Sequence, residues 1–447
     1  MIPGAGPRVV VVGAGPCGAA LALLLARAGW AVTLVEQLAP GAARPYRGEG
    51  LMPSGVAALE AMGLWPLPAR VRHRPLAGWA VVLEQQPFFT VAEPLAGDRG
   101  CWLVDQASLL AHLRAELEAL PGARVVEGQA VRELLGADER RAAGAEREPG
   151  RVMGVVLADG RELAADLVVA CDGRQSALRR LAGLELQGEG KGLAWLESES
   201  SPAGPSAVAG GGLGEAAEPV LWFRLAGAAL APLERWLGGR FLTVVGAGVS
   251  FALFAEAGGA ALRLGWVAEP GVALPADPAG WRERWAGALP EEAAALVRAL
   301  PLAAIEGPQR FPVRVGWAPR WHAPGLLLLG DAAHPMSPVR AQGINMALRD
   351  ALVAGRLLGP LGGAPVDASR ADALLPLIAA RRLPEIRRLQ ALQAREAGLG
   401  ARLRQLGWLR RGLAATAPWS GPLARRRWIQ QQHRLRLGLP RALALPE

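Results

Sequence analysis

The feature that most constrains the fold is a glycine-rich turn near the start of the chain. In VVVVGAGPCGAALALLLARAG, Gly13, Gly15 and Gly18 follow a run of valines and lead into a run of alanines and leucines. The valines predict a buried parallel strand over 9–12, and the following run predicts a helix over 19–28. In such a unit the first glycine allows a sharp turn, the second lets the backbone approach a pyrophosphate, and the third lets the helix pack closely. We therefore expect an α/β fold that binds an adenine dinucleotide.

A second apolar run, AVTLVE, ends in Glu36, which lies eighteen residues after Gly18. A carboxylate at the end of the second strand can accept hydrogen bonds from ribose hydroxyls, and it repels a 2′-phosphate. The alternative is an ordinary turn between a strand and a helix, because a chain with 57 glycines produces such spacings by chance. The strand, helix, second strand and acid occur together, which favours a ribose-binding role for Glu36.

A later motif, GLLLLGDAAHPMSPVRAQGINMALRDAL, distinguishes FAD from NAD as the bound dinucleotide. The leucines predict a short buried strand over 326–329 that brings Gly330 and Asp331 to the carboxyl edge of the sheet, where α/β sheets bind ligands. Asp331 can accept a hydrogen bond from a ribityl hydroxyl. Gln342 and Gly343 are predicted to open a helix that begins with Ile344 and Asn345. We expect its amino end to face the N1–C2=O edge of a reduced flavin, where it can stabilise negative charge. A strand end followed by a helix, without any ligand, is the alternative.

Between these motifs stands CDGRQSALRR, and the three motifs together resemble the flavoprotein monooxygenases of the para-hydroxybenzoate hydroxylase group. The resemblance extends from residue 8 to about residue 395. It implies that Asp172 and Gly173 lie near FAD and the pyridine nucleotide, that Arg47 lies on the flavin loop, and that Gln106 touches the linker of the flavin. Without the resemblance, the middle motif is a core strand with its turn, and Arg47 and Gln106 are surface residues.

The resemblance also implies the reaction. NADH or NADPH would reduce FAD, O₂ would add at the flavin C4a atom, and the resulting hydroperoxide would pass one oxygen atom to an electron-rich ring or alkene. This predicts an FAD-dependent monooxygenase that hydroxylates or epoxidises an apolar, aromatic or polyene small molecule. Epoxidation stays open because YRGEGLMPSG is similar to the corresponding loop of squalene-epoxidase-type enzymes. The chain departs from the family at Ala341, where a glycine is common before Gln-Gly.

Three other classes remain as alternatives. A reductase or dehydrogenase of a prenyl lipid or polyketide would consume reduced flavin without O₂. A halogenase is disfavoured because the single lysine is Lys191 and LGWVAEP replaces the expected WxWxIP segment. A non-catalytic flavin-binding partner protein would bind FAD without substrate-stimulated oxidation of NAD(P)H.

Histidines are the visible candidates for a catalytic base. We consider His334 and His73, with His322 as a third, although a lone histidine is more often structural. No metal site is expected, because Cys17, Cys101 and Cys171 lack metal-ligand spacing.

The domain organisation follows from the order of the motifs. We predict a Rossmann-like FAD-binding domain of the para-hydroxybenzoate hydroxylase type, a second, mostly antiparallel β substrate domain, and a basic helical C-terminus. Their residues are 1–70, 105–190 and 311–380 for the first, 71–104 and 191–310 for the second, and 381–447 for the third. Within them, ARVVEGQAVREL, RVMGVVLADG and RELAADLVVACDG predict a β-meander that turns at Asp159 and Gly160. A helix is predicted over 281–300 and a loose loop over 198–219.

Charge is concentrated at the C-terminus. Residues 381–447 contain fifteen arginines and three acidic residues, whereas the whole chain carries a net charge of +9. No nucleic-acid-binding module accompanies these arginines, so nucleic acid is not an expected partner. Leucines recur every three to four residues among them, so this helix either packs on the flavin domain or lies on an anionic membrane surface.

Location follows from what the chain lacks. There is no run of about 18 apolar residues, which disfavours a membrane-spanning helix. The first strand begins by residue 8 or 9, which leaves no room for a leader peptide before it. We therefore expect a cytoplasmic protein, with peripheral membrane contact as the alternative left open by the basic C-terminus.

Overall fold

The computed structural model describes residues 6–42, 49–95, 97–136, 150–187, 220–259, 261–268, 271–311, 313–363 and 368–439. Arg47 and the loop predicted over 198–219 lie outside these residues. The strands are β1 (Arg8–Val12), β2 (Ala31–Glu36), β3 (Gly50–Leu51), β4 (His73–Pro75), β5 (Gly78–Leu83), β6 (Gln86–Ala92), β7 (Trp102–Val104), β8 (Arg124–Glu127), β9 (Val131–Leu135), β10 (Gly154–Leu157), β11 (Glu162–Ala164), β12 (Leu167–Ala170), β13 (Val220–Ala226), β14 (Arg240–Gly246), β15 (Val249–Ala255), β16 (Ala261–Val267), β17 (Ile305–Phe311), β18 (His322–Ala323) and β19 (Leu326–Leu328). The α-helices are α1 (Pro16–Arg27), α2 (Pro53–Ala61), α3 (Gln106–Glu118), α4 (Ala177–Leu181), α5 (Ala231–Leu237), α6 (Pro278–Ala286), α7 (Glu291–Arg298), α8 (Gln342–Leu358), α9 (Ala368–Gln405), α10 (Gly407–Ala415) and α11 (Ala417–Arg436).

A six-stranded sheet in the order β18-β19-β12-β1-β2-β8 carries the glycine motifs. Its strands are parallel except for the edge strand β18. Helix α1 packs against α3 and α8, so the central strands are covered and read as continuous apolar runs. The strand predicted over 326–329 is present as β19, and Gly330 follows its end.

The β-meander prediction is correct only for its middle. Strands β9, β10 and β11 form a three-stranded antiparallel sheet with its turn at Asp159 and Gly160. Strands β8 and β12, predicted as parts of the meander, instead join the six-stranded sheet in parallel. All four residues of β12 are buried, so this strand pairs with β1 in the core rather than with its neighbour in sequence.

A seven-stranded sheet forms the second layer, in the order β17-β13-β16-β15-β14-β5-β6. Every pairing is antiparallel except that of β14 with β5, as expected for a mostly antiparallel sheet. One face packs on helices α5, α6 and α7. The helix predicted over 281–300 is two helices, because Pro290 caps α7 and a proline cannot continue the hydrogen bonding of α6.

The C-terminal helices divide into a packed part and an exposed part. Helix α9 lies against α8, and Ile386 and Leu389 are buried in the main core. Further along the same leucine pattern, Leu399 and Leu406 are exposed. The packing expectation is therefore met only by the first part of this helix. No helix in the described part of the chain is both long and apolar enough to cross a bilayer.

Candidate active site

A cleft of about 750 Å³ runs between the carboxyl edge of the six-stranded sheet and the exposed face of the seven-stranded sheet. The glycine motifs line one end, and side chains of β13 to β17 line the other. This volume lies within the range of small-molecule sites. One cavity therefore joins the predicted cofactor region to the second sheet.

The three glycines of the first motif have different surroundings. A Cβ atom on Gly13, whose φ is +100°, would lie 2.4 Å from the carbonyl oxygen of Cys171. A Cβ on Gly18 would lie 2.0 Å from the carbonyl oxygen of Gly13, so any side chain there would push α1 off the turn. At Gly15 a Cβ would meet nothing within 4 Å. Gly15 thus borders open space at the start of α1, which is a cradle of the kind that a pyrophosphate fills.

Glu36 lines this end of the cleft at the end of β2 and is 6% exposed. Its carboxylate accepts hydrogen bonds from the backbone N–H groups of Ala14, at 3.2 Å, and Leu38, at 3.0 Å. These contacts fix the carboxylate beside the glycine turn. Each carboxylate oxygen has two lone pairs, so acceptor capacity remains for a ligand hydroxyl.

The middle motif forms the turn after β12. Asp172 accepts hydrogen bonds through Oδ2 from the N–H groups of Ala177 and Leu178, and its buried Oδ1 has no partner in the described ranges. Gly173 follows with a φ of +82°, which favours glycine. Arg179 is 4% exposed and donates a hydrogen bond to the carbonyl oxygen of Ala332. This contact ties the middle motif to the GDAAHP motif.

Asp331 lines the cleft and forms an ion pair with Arg174, with 2.9 Å between Oδ2 and Nε. The Arg174 guanidinium also lies 4.2 Å from the centre of the Phe311 ring. Gly330 takes a φ of +59° and donates its N–H to Asp350. The pairing with Arg174 is a contact that the sequence analysis did not predict, since 157 positions separate the two residues.

Two residues in the first turn of α8, Gly343 and Asn345, were predicted to contact the cofactor. Gly343 lines the cleft in the first turn of α8. Asn345 does not line it and is fully buried. Its side chain accepts a hydrogen bond from the N–H of Met52 and donates to the carbonyl oxygens of Gly50 and Ala341. The Asn345 side chain thus has a positioning role, in which it joins α8 to β3, and contact of this residue with the cofactor stays a prediction.

Ala341, the departure from the family pattern, adopts a φ of +49° at the N-cap of α8. This left-handed conformation costs an alanine roughly 1–2 kcal/mol and suits glycine, which explains why glycine is common there. Its side chain lines the cleft beside Gly50.

Gln106 and Arg47 are the remaining residues that were predicted to contact the cofactor. Gln106 begins α3 and lines the cleft, and the side chain of Asp105 caps the same helix through the N–H of Ala107. Arg47 lies outside the described residues, so its predicted role stays a prediction.

The three candidate histidines do not line the cleft. His334 is 1% exposed, its Nε2 lies 2.5 Å from Oδ2 of Asp350, and its ring packs on Trp321. His73 packs beside aromatic rings in the small β3-β7-β4 sheet, and His322 lies on the edge strand β18. None of these imidazoles lines the described cleft, so the geometry does not support a histidine base, and that role stays a prediction.

His334 instead belongs to a buried charge cluster that we define as Asp350, Arg382, Glu385, Arg349 and His334. Arg382 pairs with Asp350 at 2.6 Å and with Glu385, and Arg349 pairs with Glu385 at 2.7 Å. Burial by itself would raise the pKa of Asp350, but the charges and hydrogen bonds of His334 and Arg382 lower it to about 2. The cluster holds α8 to α9 beneath the cofactor end of the cleft.

Aromatic side chains form the wall that the sequence analysis did not assign. The rings of Phe241 and Phe254 stack with centroids 4.9 Å apart, and Trp79 and Trp222 contact them from either side. In β13 the cleft residues Trp222 and Arg224 alternate with core residues, so the period of two in VLWFRLA was the available signal. A flat apolar molecule fits such a wall.

Glu49 is the second functional residue that the sequence analysis missed. It lines the cleft and is 7% exposed, and its Oε2 accepts a hydrogen bond from the N–H of Ala257 at 3.1 Å. Burial raises the pKa of Glu49 to about 7. The sequence signal was weak, because the surroundings of Glu49 are set by residues far along the chain, such as Ala257. No group of three metal-ligating side chains occurs in the ranges that the structure describes.

Several known proteins are similar to this chain in sequence or in fold. The family model described as "FAD binding domain" matches residues 7–215 and 281–372, more than half of the chain. The chain is 33% identical over 406 residues to 6-methylpretetramide 4-monooxygenase of Streptomyces rimosus, covering 88% of this chain and 84% of that protein. It is 30% identical over 400 residues to menaquinone reductase of Mycolicibacterium smegmatis, covering 86% and 84%. The crystal structure of P. aeruginosa PqsL in complex with 2-aminobenzoylacetate shares the fold, with a TM-score of 0.68, 21% identity and coverage of 92% and 98%.

Proposed function

The chain belongs to the FAD binding domain family and is an FAD-dependent monooxygenase, and we propose that it uses NADH or NADPH with O₂ to hydroxylate or epoxidise a flat, apolar aromatic or polyene molecule. The observation that carries the proposal is the cleft that joins the glycine cradle to the aromatic wall. A cofactor and an apolar ring can lie in that cleft side by side. The relative from Streptomyces rimosus, named as a monooxygenase of 6-methylpretetramide, supports this choice of substrate class.

The residues around the cradle fit FAD. Gly15 borders the space for the pyrophosphate, Glu36 would accept hydrogen bonds from the ribose, and Asp331 would accept one from a ribityl hydroxyl. Gly343, in the first turn of α8, would contribute the positive end of a helix dipole. When bound and reduced, FAD supplies the electrons that activate O₂.

The predicted division into domains becomes part of the same proposal. Residues 1–70, 105–190 and 311–380 would hold FAD, and residues 71–104 and 191–310 would hold the substrate. The aromatic wall of the second sheet would orient the ring and exclude water from it, which protects a reactive oxygen species from decay.

Labelled oxygen tests the reaction directly. Purified holoenzyme is supplied with NADH or NADPH, a hydroxylated polycyclic substrate and ¹⁸O₂. We expect substrate-stimulated oxidation of the nicotinamide, consumption of O₂ and one ¹⁸O atom in the product. Full product formation without O₂ would replace the monooxygenase assignment with a reductase.

That reductase is the second candidate function, and a specific observation favours it. The menaquinone reductase of Mycolicibacterium smegmatis matches 86% of this chain at 30% identity. The same cleft would then hold a quinone ring against the aromatic wall. Anaerobic incubation with menaquinone and reductant separates the two functions, because only a reductase consumes the quinone under those conditions.

The C-terminal helices provide a further part of the proposal. We propose that the protein acts in the cytoplasm and contacts anionic membranes peripherally through α10 and α11. Trp408 is 70% exposed and Trp419 is 79% exposed, and Arg411 and Arg425 are exposed on the same two helices. Exposed tryptophans beside arginines suit the interface of an anionic bilayer.

Sedimentation with vesicles tests the membrane contact. We expect the protein to sediment with phosphatidylglycerol vesicles and to stay in solution with phosphatidylcholine vesicles. The double variant Trp408→Ala/Trp419→Ala should lose several-fold in bound fraction, whereas Leu302→Ala, an exposed apolar residue elsewhere, should not. Equal binding by the two variants would exclude these helices as the contact.

A further inference from the structure

The loop of residues 335–341, which we call the cleft loop, begins at the last residue of the GDAAHP motif and leads into α8. Five of its residues line the cleft, namely Met336, Ser337, Pro338, Arg340 and Ala341. Asp331, at the cofactor end, precedes the loop, and Trp79, in the aromatic wall, lies against Arg340 near its end. The cleft loop therefore connects the cofactor end of the cleft to the aromatic wall.

Two consecutive residues of the cleft loop adopt the left-handed backbone conformation. The φ angle is +57° at Arg340 and +49° at Ala341. This conformation is unfavourable for a residue with a side chain, and it persists where surrounding contacts hold the backbone in place. The end of the cleft loop therefore depends on its anchors.

Helix α9 anchors the first part of the cleft loop through two fully buried glutamines. Gln390 donates a hydrogen bond to the carbonyl oxygen of Pro335 at 3.2 Å. Three residues further along the same helix, Gln393 donates to the carbonyl oxygens of Ser337 at 3.0 Å and Val339 at 2.7 Å. These hydrogen bonds fix the backbone up to the start of the left-handed pair.

The side chain of Arg340 anchors the second part of the loop. It is 10% exposed, and its Nε donates to Oε1 of Glu396, three residues after Gln393 in α9, at 2.6 Å. Its guanidinium lies 5.0 Å from the centre of the Trp79 ring and 5.2 Å from that of Trp428 in α11, within range of a cation–π interaction. One side chain thus ties the left-handed residues to α9, to α11 and to the aromatic wall.

We propose that Arg340 is a positioning residue for oxygen transfer, which holds the end of the cleft loop in place and thereby fixes the substrate ring relative to the cofactor. This inference rests on the proposed function and adds to it a residue that acts through the backbone of the loop. Gly15, Glu36 and Asp331 would instead hold FAD by direct contact.

The expected consequence of losing Arg340 is a loss of oxygen transfer without a loss of the cofactor. Without its anchor the loop relaxes, and Ala341, which borders the cleft beside Gly50, moves with it. A small misplacement of reacting groups lowers the rate of their reaction steeply. FAD stays in its cradle and the nicotinamide is still oxidised, so NAD(P)H, O₂ and one proton give NAD(P)⁺ and hydrogen peroxide in place of product.

Three variants test this role in the FAD-loaded protein. Arg340→Gly suits the left-handed backbone but removes the anchor, and Arg340→Lys keeps the charge but loses the planar, forked guanidinium. Arg298→Lys is the matched control, because Arg298 forms an exposed ion pair with Glu283 on the surface.

The first measurement is the ratio of ¹⁸O-labelled product to nicotinamide oxidised, with the polycyclic substrate of the labelled-oxygen test. We expect the ratio to fall about threefold or more in Arg340→Gly, with an equivalent rise in hydrogen peroxide. Arg340→Lys should lie between Arg340→Gly and the unmodified protein, and Arg298→Lys should equal the unmodified protein. The FAD dissociation constant should stay within about twofold in all three variants, since their cradle is intact.

Hydrogen exchange tests the position of the loop apart from turnover. In Arg340→Gly, backbone amides of residues 335–341 should exchange about tenfold faster than in the unmodified protein, while those of β1 and α1 should not change. If Arg340→Gly does not fold, Glu396→Gln removes the charge that pairs with Arg340 and carries both measurements.

Several outcomes would overturn the inference. They are an unchanged product ratio in Arg340→Gly, an equal loss in Arg298→Lys, or unchanged exchange in the cleft loop. A fall of the ratio that only matches a loss of FAD affinity would show that Arg340 is structural. Absence of ¹⁸O in the product of the unmodified protein would overturn the proposed function, whereas a normal ¹⁸O yield with an unchanged ratio in Arg340→Gly would overturn the positioning role alone.

Discussion

Asp350 and Glu49 are both buried carboxyl groups of one molecule, but their pKa values move in opposite directions. Asp350 is fully buried and lies against Arg382, His334 and the N–H of Gly330, and its pKa is about 2. Among the described residues Glu49 has one side-chain hydrogen bond, from the N–H of Ala257, and no ion pair, and burial raises its pKa to about 7. Partners, rather than burial, decide whether a buried carboxyl group stays charged.

The two carboxyl groups also differ in whether they are available to a ligand. In the buried charge cluster every charged group faces an opposite charge inside the protein, so the cluster joins helices and offers nothing to a ligand. In the cleft, Glu49 is left to be satisfied by whatever binds there. A group that is costly to leave alone is a group that a substrate can stabilise.

The largest expected effect comes from removing Asp350 from the buried charge cluster. Asp350→Ala leaves His334 without its carboxylate and Arg382 with Glu385 alone, and should lower the free energy of unfolding by about 3–5 kcal/mol. Urea unfolding of the FAD-loaded protein measures it. Glu283→Ala, which breaks an exposed pair with Arg298, should cost less than about 1 kcal/mol. Similar losses of unfolding free energy in the two variants would mean that the buried charge cluster stabilises the protein no more than an exposed ion pair does.

A second prediction concerns Glu49, the buried carboxyl group with the raised pKa. The pKa of Glu49 is raised on folding from 4.5 to about 7, so its neutral form is favoured in the folded protein. The penalty for ionising it therefore appears as the pH rises from 4.5 to 7 and is complete above pH 7. Glu49→Gln removes the penalty, so its unfolding free energy relative to the unmodified protein should increase by about 3 kcal/mol between pH 4 and pH 8.

Urea unfolding at pH 4, 6 and 8 checks this prediction, with Glu283→Gln as the control for a carboxylate of the surface. A relative stability of Glu49→Gln that stays flat with pH would show that Glu49 has an ordinary pKa. The contrast with Asp350 would then be lost.

The smallest expected effect concerns Asp331, which is intermediate because it is partly exposed and paired with Arg174. Asp331→Ala should weaken FAD binding by about 1.5–3 kcal/mol, since a ribityl hydroxyl would lose a charged acceptor. FAD fluorescence on titration with the apoprotein measures the dissociation constant. Arg174→Ala keeps the Asp331 carboxylate and should weaken FAD binding by a smaller amount. A larger loss in Arg174→Ala would show that the arginine, rather than Asp331, contacts the cofactor.

Much of the cofactor end was predictable because local backbone geometry demands its residues. Gly13 and Gly18 are required by close approaches between neighbouring segments, and the strand before Gly330 is an uninterrupted apolar run. The pairing of β8 and β12 was not predictable from their order in sequence. Parallel pairing depends on which strand already lies in the core, and a short apolar run does not specify that partner.

The roles of the polar residues were the least predictable. Asn345 and His334 were expected to face a ligand, and instead their side chains contact backbone groups or Asp350. Both residues lie in the motif region that suggested them, so the motif located the site but not the direction of each side chain. A fraction of a helical turn decides between a cleft and a core.

The sequence by itself determined the family to which the chain belongs, the fold class and FAD as the cofactor. These depend on glycines, apolar runs and spacings that act within about 30 residues of one another. The tertiary structure decided which buried acids keep their charge, because their partners come from far along the chain. Glu49 meets Ala257 across 208 positions, and Asp331 meets Arg174 across 157. Whether a carboxyl group in this protein is structural or available for chemistry follows from contacts that only folding creates.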